Sequence, residues 1–215
     1  MKHLITEKPL TPDTLLKTRE IYQAKEKKFE RYIDAILEWN QKINIMSRNV
    51  SRETIREHII HSLIPVTLGW IDYHSCWIDA GTGGGLPGIP LAIQTPGTRW
   101  ILNDNLRKKV RVVDEIIQDC GLKNAKTEAK SISLVEFEPD CGLVSKHAFK
   151  IPDLLKKIQQ QPWETVILWK GAQDIQNELH QVSDALEAEI RPFMFGNTEP
   201  FYEGKALVKL NPRQK

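Results

Sequence analysis

Apolar residues in the first 70 positions recur at the spacing of a helix rather than that of a strand. From Phe29 to Asn40 the apolar side chains fall on one face and charged side chains fill the other, as expected of an amphipathic helix that docks onto a larger body. A second helix is predicted to begin at Ser51, as its N-cap, and to end between Pro65 and Leu68. No strand is predicted here, so residues 1–70 are interpreted as an N-terminal helical extension.

From Cys76 the pattern alternates between short apolar runs and amphipathic stretches. Strands are predicted near 76–80, 99–104, 125–130, 141–146 and 164–169, and helices near 87–95, 106–120, 151–160 and 172–183. Alternation at this spacing implies right-handed crossovers, and therefore an α/β fold with a mostly parallel, doubly wound sheet. Strands at 191–195 and 206–210 predict a hairpin-like pair at a sheet edge, with one strand antiparallel. Residues 71–215 are read as a Rossmann-like domain that forms one structural unit with the extension.

Composition narrows the choice of function only modestly. The chain has 215 residues, 40% of them hydrophobic, enough for one α/β domain and an appended element. A net charge of +2 gives no polycationic signature, so any nucleic-acid contact must come from local patches. The three cysteines are widely spaced and odd in number, and are expected to be reduced core thiols. No signal peptide, membrane span or metal motif is recognised, and the expectation is a cytoplasmic monomer.

The segment from Trp77 to Ile93 is the most informative part of the chain. A buried strand ends at Asp79, a turn with four glycines follows, and Pro87 begins the next helix. Strand ends of this kind face the ligand in open α/β sheets, and glycines let a ligand approach the main chain closely. The segment therefore predicts a nucleotide-like cofactor at this loop.

Two cofactor classes use such a loop, and the spacing from Gly83 to Gly88 satisfies the dinucleotide pattern G-x-G-x-x-G of nicotinamide-dependent oxidoreductases. Against that reading, Asp79 stands directly before the turn, where a carboxylate would repel a pyrophosphate but would suit the cationic groups of S-adenosylmethionine. Asp104 ends the next strand and is placed to accept ribose hydroxyls. The plainer alternative is that both acids only cap the elements that follow them.

Four segments, 38–45, 58–63, 79–93 and 170–171, together resemble the bacterial RsmG family, also called GidB. The resemblance implies a class I S-adenosylmethionine-dependent methyltransferase that modifies N7 of a guanine in 16S ribosomal RNA, with that RNA or the small ribosomal subunit as partner. With the glycine loop, it gives a predicted set of cofactor-binding residues: Asp79, Gly81, Thr82, Gly83, Gly85, Leu86, Asp104, Leu134, Val135 and Lys146.

The chain departs from the family pattern at several positions. An acid is usual after the third strand of the domain, near Leu134 and Val135, and is missing or shifted here. Lys146 and His147 stand in Ser145-Lys146-His147, where the family usually has Ser-Arg-Ala, and His61 stands where an Asp is usual. Gly84 stands at the position in the glycine loop where the family usually has a proline. These departures keep a third reading open, that of a non-catalytic RNA-binding relative.

Transfer of a methyl group to guanine N7 needs in-line placement more than a general base, because the nitrogen already carries an in-plane lone pair. No catalytic residue is therefore assigned, although Ser145, Lys146 and His147 are candidates for positioning. The predicted RNA-binding residues are basic positions expected near the carboxyl edge of the sheet. They are Arg48, Arg52, Arg56, Arg107, Lys108, Lys109, Lys150 and Lys170.

Overall fold

A computed structural model describes residues 3–46 and 49–213, so Arg48, one of the predicted RNA-binding residues, lies outside the described part. Eight strands in this part form one sheet. They are β1 (Leu4–Glu7), β2 (Cys76–Ala80), β3 (Arg99–Asn103), β4 (Ala125–Glu128), β5 (Cys141–Lys146), β6 (Val166–Gly171), β7 (Leu186–Pro192) and β8 (Lys205–Pro212).

The strand order across the sheet is β1-β7-β8-β6-β5-β2-β3-β4. Every neighbouring pair is parallel except the two that β8 makes with β6 and β7, which are antiparallel. The chain order reverses between β2 and β5, and this reversal opens a crevice at the carboxyl ends of the strands. The predicted mostly parallel, doubly wound sheet is confirmed.

Seven α-helices cover the two faces of the sheet within the described residues. They are α1 (Pro12–Ala24), α2 (Glu26–Lys42), α3 (Arg52–Thr67), α4 (Gly88–Gln94), α5 (Arg107–Asp119), α6 (Ile151–Ile158) and α7 (Ile175–His180). The predicted N-cap of α3 is confirmed, because the Ser51 Oγ accepts the backbone N–H of Thr54 at 3.1 Å. Helix α1 was not among the predicted elements.

The N-terminal segment contributes a strand as well as helices, so the prediction that it has none is wrong. Strand β1 pairs in parallel with β7, from Leu4 opposite Glu187 to Glu7 opposite Ile190, and forms the edge of the sheet. Four residues whose side chains are all exposed give no alternating pattern to detect. Helices α1 to α3 bury side chains such as Phe29 and Ile59 in the same core that holds Trp77 of β2.

The expectation of three reduced cysteines is also wrong in this structure. Cys76 and Cys141 lie opposite each other on the adjacent strands β2 and β5, with their Cα atoms 4.5 Å apart, and form a disulfide. Cys120 is the free cysteine. The sequence hides this pairing because 65 positions separate the two residues. Among the helices of the described ranges, none has both the length and the apolar character needed to cross a membrane.

Candidate cofactor site

The glycine loop joins β2 to α4, and Asp79 fixes its conformation through hydrogen bonds. This carboxyl group is fully buried, and its Oδ2 accepts the Thr82 hydroxyl at 2.6 Å and the Gly88 backbone N–H at 2.9 Å. Gly88 has to be a glycine, because a Cβ there would lie 2.7 Å from Asp79 Oδ2. The capping role considered for Asp79 is therefore present in the structure.

The second oxygen of Asp79, Oδ1, has no hydrogen-bond partner among the described residues. Burial is the main influence on this carboxyl and raises its pKa from 3.8 to about 7, although the Thr82 and Gly88 hydrogen bonds act in the opposite direction. A buried oxygen without a donor is costly. A cationic group in the crevice would stabilise the ionised carboxylate, so the geometry fits both a loop anchor and an electrostatic partner.

Asp104 lies directly after β3 and is 7% exposed. Its Oδ2 accepts the Gly83 backbone N–H at 3.2 Å, and its Oδ1 accepts the Leu106 backbone N–H at 2.9 Å. One carboxylate thereby connects the glycine loop to the start of α5. Each oxygen can accept a further hydrogen bond, so Asp104 can still receive hydroxyl donors from a ligand.

A cavity of about 410 Å³ opens beside these residues at the carboxyl ends of the strands. Its wall combines the last residue of β3 and the loops that follow β2, β3, β4 and β5 with one lysine from α5 and one from α6. The lining residues are Gly81, Gly83, Asn103, Asp104, Asn105, Leu106, Lys109, Ser131, Ile132, Ala148, Phe149 and Lys157. The cavity thus lies at the place where the sequence predicts a nucleotide-like ligand.

Gly81 brings the glycine loop against the segment after β5. Its φ is +74°, and a Cβ added to it would lie 2.5 Å from the Ala148 Cβ and 3.2 Å from the Phe149 ring. The positive φ already disfavours other residues, and the close approach excludes them. Gly81, Ala148 and Phe149 therefore form a closely packed side of the cavity.

The structure brings together some of the predicted cofactor residues and not others. Gly81, Gly83 and Asp104 line the cavity, whereas Asp79 and Thr82 are buried and hydrogen-bonded to each other. Gly85 packs against Ile89, and Leu86 packs half-buried against the main core. These residues shape the loop without forming the cavity wall.

The two residues predicted to contact adenine lie outside the cavity wall. Leu134 is 66% exposed and Val135 is fully buried in a separate core, so neither lines the cavity. Ser131 and Ile132 line it instead. The segment after β4 forms a 3-10 turn at Ile132–Leu134, which carries the later residues away from the crevice.

Ser145 and Lys146 connect strand ends and do not line the cavity. The Ser145 hydroxyl donates to the Ala80 carbonyl at 2.8 Å. Lys146 Nζ donates to the His58 carbonyl at 2.8 Å and to the Ser62 Oγ at 3.0 Å, which ties β5 to α3. Burial lowers the pKa of Lys146 well below its ordinary value. In the structure Lys146 therefore braces β5 against α3.

His61 stands next to this brace and is fully buried. Neither of its ring nitrogens has a hydrogen-bond partner among the residues described, and the rings of Trp169, Phe193 and Tyr202 face it edge-on. Burial lowers the pKa of His61 well below 6.5, so the imidazole is neutral. Across residues 3–46 and 49–213, no cluster of three or more His, Cys, Asp or Glu side chains is arranged to hold a metal.

Lys170, which the sequence predicts to bind RNA, is buried and forms an ion pair with Glu178. It is 8% exposed, and its Nζ donates to Glu178 Oε1 at 2.7 Å and to the Phe149 carbonyl at 3.2 Å. Glu178 Oε2 accepts the backbone N–H of Ile151 at 2.7 Å. A buried lysine that is already paired cannot reach phosphates, so its role is to fix the segment that carries Phe149.

Arg52 and Arg56 form partly exposed ion pairs with acidic residues of α2. Arg52 Nη1 lies 2.6 Å from Glu30 Oε2 and Arg56 Nη2 lies 2.9 Å from Glu30 Oε1, and Arg52 also pairs with Asp34. These ion pairs join α3 to α2. The sequence pattern does not show them, because the acidic partners lie on another helix.

The remaining predicted RNA contacts are available to a ligand. Arg107, Lys108 and Lys150 are exposed, and Lys109 is half-buried on the cavity wall. None of these four side chains makes a hydrogen bond or ion pair within the part of the chain that the structure describes. His147 is exposed as well and has a φ of 56° where the chain leaves β5.

Solved structures with a similar fold are methyltransferases. An O-methyltransferase from Bacillus cereus in complex with SAH has a TM-score of 0.57 and 14% identity, covering 85% of this chain and 90% of that one. The O-methyltransferase TomG from Streptomyces achromogenes, in complex with SAM, also has a TM-score of 0.57, with 12% identity over 85% and 90% of the two chains. At this identity the likeness concerns the fold alone, and it confirms the predicted class I methyltransferase architecture.

Sequence relatives are considerably nearer. The ribosomal RNA small subunit methyltransferase G of Flavobacterium psychrophilum is 33% identical over 187 residues, covering 84% of this chain and 88% of that protein. The protein of the same name from Christiangramia forsetii is 32% identical over 195 residues, covering 87% and 90%. Both alignments include the glycine loop and most of the sheet.

The family model for rRNA small subunit methyltransferase G matches residues 25–194. This match covers helices α2 and α3, the glycine loop and strands β2 to β7. It confirms the resemblance drawn from the four sequence segments and argues against the nicotinamide-dependent oxidoreductase. The chain therefore belongs to the rRNA small subunit methyltransferase G family.

Proposed function

We propose that this protein transfers a methyl group from S-adenosylmethionine to N7 of a guanine in small-subunit (16S) ribosomal RNA. The observation that carries the proposal is the cavity at the carboxyl ends of β2 to β5, with Asp104 on its wall and Gly81 packed against Ala148 and Phe149. It occurs in a chain of the rRNA small subunit methyltransferase G family.

The residues around the cavity fit S-adenosylmethionine. Asp104 offers carboxylate oxygens to ribose hydroxyls, and Ser131 and Ile132 form a wall for an adenine ring. Asp79 has an unpaired buried oxygen near the same loop, which suits a cation better than a phosphate. When bound, this cofactor supplies an electrophilic methyl group on a sulfonium.

The chain's contribution to the reaction is placement of the acceptor. Guanine N7 has an in-plane lone pair and loses no proton when it is methylated, so no side chain has to act as a base. Phe149 offers a ring on the cavity wall against which a base can stack, and His147 precedes it with an exposed imidazole. Lys170 and Glu178 hold the backbone at Phe149 and at Ile151, where this segment ends.

The partner in this proposal is 16S rRNA or the small ribosomal subunit. Arg107, Lys108, Lys109 and Lys150 are the predicted phosphate contacts that have no partner in the described structure, whereas Arg52, Arg56 and Lys170 are withdrawn from that set. A cytoplasmic monomer is part of the same proposal.

The experiment is transfer of labelled methyl groups from S-adenosylmethionine to small subunits that lack the modification. We expect incorporation by the wild-type protein and a large loss in Asp104→Ala, because the carboxylate is the ribose acceptor. Asp72→Ala removes an exposed acid away from the cavity and serves as the matched control. No transfer by the wild-type protein, together with no binding of S-adenosylhomocysteine in calorimetry, would overturn the proposal.

A further inference from the structure

A second cavity, of about 520 Å³, lies between the end of α2 and the first two turns of α5. We call it the α2–α5 groove. Its lining residues are Trp39, Ile43, Arg107, Lys108, Arg111, Val112 and Glu115. The groove is separate from the cofactor cavity. Arg107 and Lys108 already belong to the proposed phosphate contacts, whereas Trp39, Arg111 and the space between the two helices have no role in them.

The α5 side of the groove carries an excess of positive charge. Arg107, Lys108 and Arg111 are all exposed, and none makes a hydrogen bond or ion pair with any residue in the described ranges. Glu115 is the one acidic side chain on the wall, and it pairs with none of the three. Unpaired guanidinium and ammonium groups on one helix face are suited to phosphate oxygens.

The α2 side of the groove offers an aromatic surface. Trp39 is half-buried and packs partly against the main core, and Lys42 Nζ lies 4.9 Å from the centre of its ring. Its indole N–H makes no hydrogen bond to a described residue. A half-buried indole that lines a groove is a platform on which a nucleobase can stack.

The groove and the cofactor cavity lie on opposite sides of the same helical turn. Leu106 and Lys109 line the cofactor cavity, while Arg107 and Lys108, between them in sequence, line the groove. The two sites are therefore neighbours on α5, so that one RNA strand can contact both.

We infer that the α2–α5 groove binds a single-stranded segment of the substrate RNA, with a base against Trp39 and phosphates on Arg107, Lys108 and Arg111. This inference rests on the proposed function, since it assigns a binding surface to that substrate. Charge favours RNA over a protein partner, because three unpaired cations beside an aromatic ring match the phosphates and the base of a nucleotide, whereas the core of a protein interface is depleted in charged residues.

The charge part of the inference is tested with the triple variant Arg107→Gln, Lys108→Gln, Arg111→Gln. Its matched control is Lys27→Gln, Lys28→Gln, Arg31→Gln, which removes three exposed cations near the start of α2. Binding of fluorescein-labelled oligouridylate is followed by anisotropy over a range of salt concentrations. We expect the groove variant to bind at least tenfold more weakly, with a salt dependence lower by about 2 in log–log slope, and the control to match the wild type.

The stacking part is tested with Trp39→Leu and Trp39→Phe. We expect roughly a tenfold loss of oligouridylate affinity for the leucine variant and a smaller loss for phenylalanine, which keeps an aromatic face. Thermal unfolding and S-adenosylhomocysteine binding, measured on both variants, separate loss of stacking from loss of packing. Equal losses in the two variants would overturn the assignment of a base to Trp39.

The outcomes distinguish this inference from the function on which it rests. If the wild-type protein methylates small subunits and the groove variant binds RNA as well as its control does, the groove assignment fails alone. If the wild-type protein methylates nothing, the proposed function fails. A third outcome is that the wild-type protein self-associates, whereas the groove variant stays monomeric and binds RNA with unchanged affinity. In that case a second copy of the chain occupies the groove, and the inference is overturned.

Discussion

Lys170 and Glu178 form a buried ion pair, with Lys170 Nζ 2.7 Å from Glu178 Oε1. The lysine also donates to the Phe149 carbonyl, and the glutamate accepts the Ile151 N–H. The pair therefore hydrogen-bonds to the backbone on both sides of Lys150. A charge pair inside the protein thereby fixes the segment that places Ala148 and Phe149 against the glycine loop.

Removing one member of this pair should destabilise the protein strongly. We expect Lys170→Met to lower the free energy of unfolding by about 3 to 5 kcal/mol, because Glu178 is left buried without its cation. The double variant Lys170→Met, Glu178→Leu should recover part of this loss. Urea denaturation of the three proteins measures the effect. A loss below about 1 kcal/mol in the single variant would show that the pair does not hold the segment.

Arg56 should matter for stability and not for RNA. Its ion pair with Glu30 is partly exposed, so Arg56→Gln should cost about 1 kcal/mol of unfolding free energy. RNA affinity should equal that of Lys28→Gln, which removes an exposed cation from α2. Chemical denaturation and RNA anisotropy measure the two quantities. An RNA affinity markedly weaker than the Lys28→Gln control would return Arg56 to the RNA-binding set.

Gly81→Ala should abolish cofactor binding while the protein stays folded. The new Cβ would lie 2.5 Å from the Ala148 Cβ, and the residue would keep a φ of +74° only with strain, so the loop and the Ala148 segment must separate. Gly97→Ala is the control, because a Cβ there has no atom within 4 Å. Calorimetric titration with S-adenosylhomocysteine makes the comparison. An unchanged dissociation constant in Gly81→Ala would mean that the loop does not bind the cofactor.

Asp79 predicts a pH dependence of cofactor affinity. Burial raises the pKa of its carboxyl to about 7, so below that pH the group is neutral and attracts a cation less. Affinity for S-adenosylmethionine should fall up to tenfold per pH unit as the pH drops below about 7. Asp79→Asn keeps an acceptor for the loop but does not titrate, so its profile reports the cofactor's own titration. Parallel profiles in the two proteins would rule out an electrostatic role for Asp79.

The same carboxyl affects the stability of the cofactor-free protein. Its pKa rises from 3.8 to about 7 on folding, so between these values the folded state binds a proton that the unfolded state does not. This proton binding contributes to the free energy of unfolding. The contribution is fully present below 3.8, the pKa of the Asp79 carboxyl in the unfolded chain, and is lost as the pH rises through about 7, its pKa in the folded protein. Thermal unfolding across this range should show the decline in the wild type and a flatter curve in Asp79→Asn.

The parts of the site that could be predicted from sequence are those set by local chain geometry. The strand ending at Asp79, the glycine turn and Asp104 after the next strand all follow from short patterns in which a strand end implies the ligand side of the sheet. The parallel sheet followed from alternation of elements in the same way. For this reason the sequence predicts Gly81, Gly83 and Asp104, and all three line the cavity.

The parts that could not be predicted depend on partners distant in sequence. Whether a lysine or arginine faces solvent or an acid on another element is decided by tertiary packing, as the pairing of Arg52 with Glu30 and of Lys170 with Glu178 shows. The 3-10 turn that moves Leu134 away from the cavity has no clear sequence signal. Strand β1 forms because β7 offers it an edge, and its own four residues do not indicate this.

The most direct measurement identifies the methylated nucleoside. Small subunits lacking the modification are incubated with the protein and S-adenosylmethionine, and their 16S rRNA is digested and analysed by mass spectrometry, with Gly81→Ala as the inactive control. We predict 7-methylguanosine at one position with the wild-type protein and none with the variant. Methyl transfer to another atom of the RNA, or no transfer by a protein that binds the cofactor, would contradict the account.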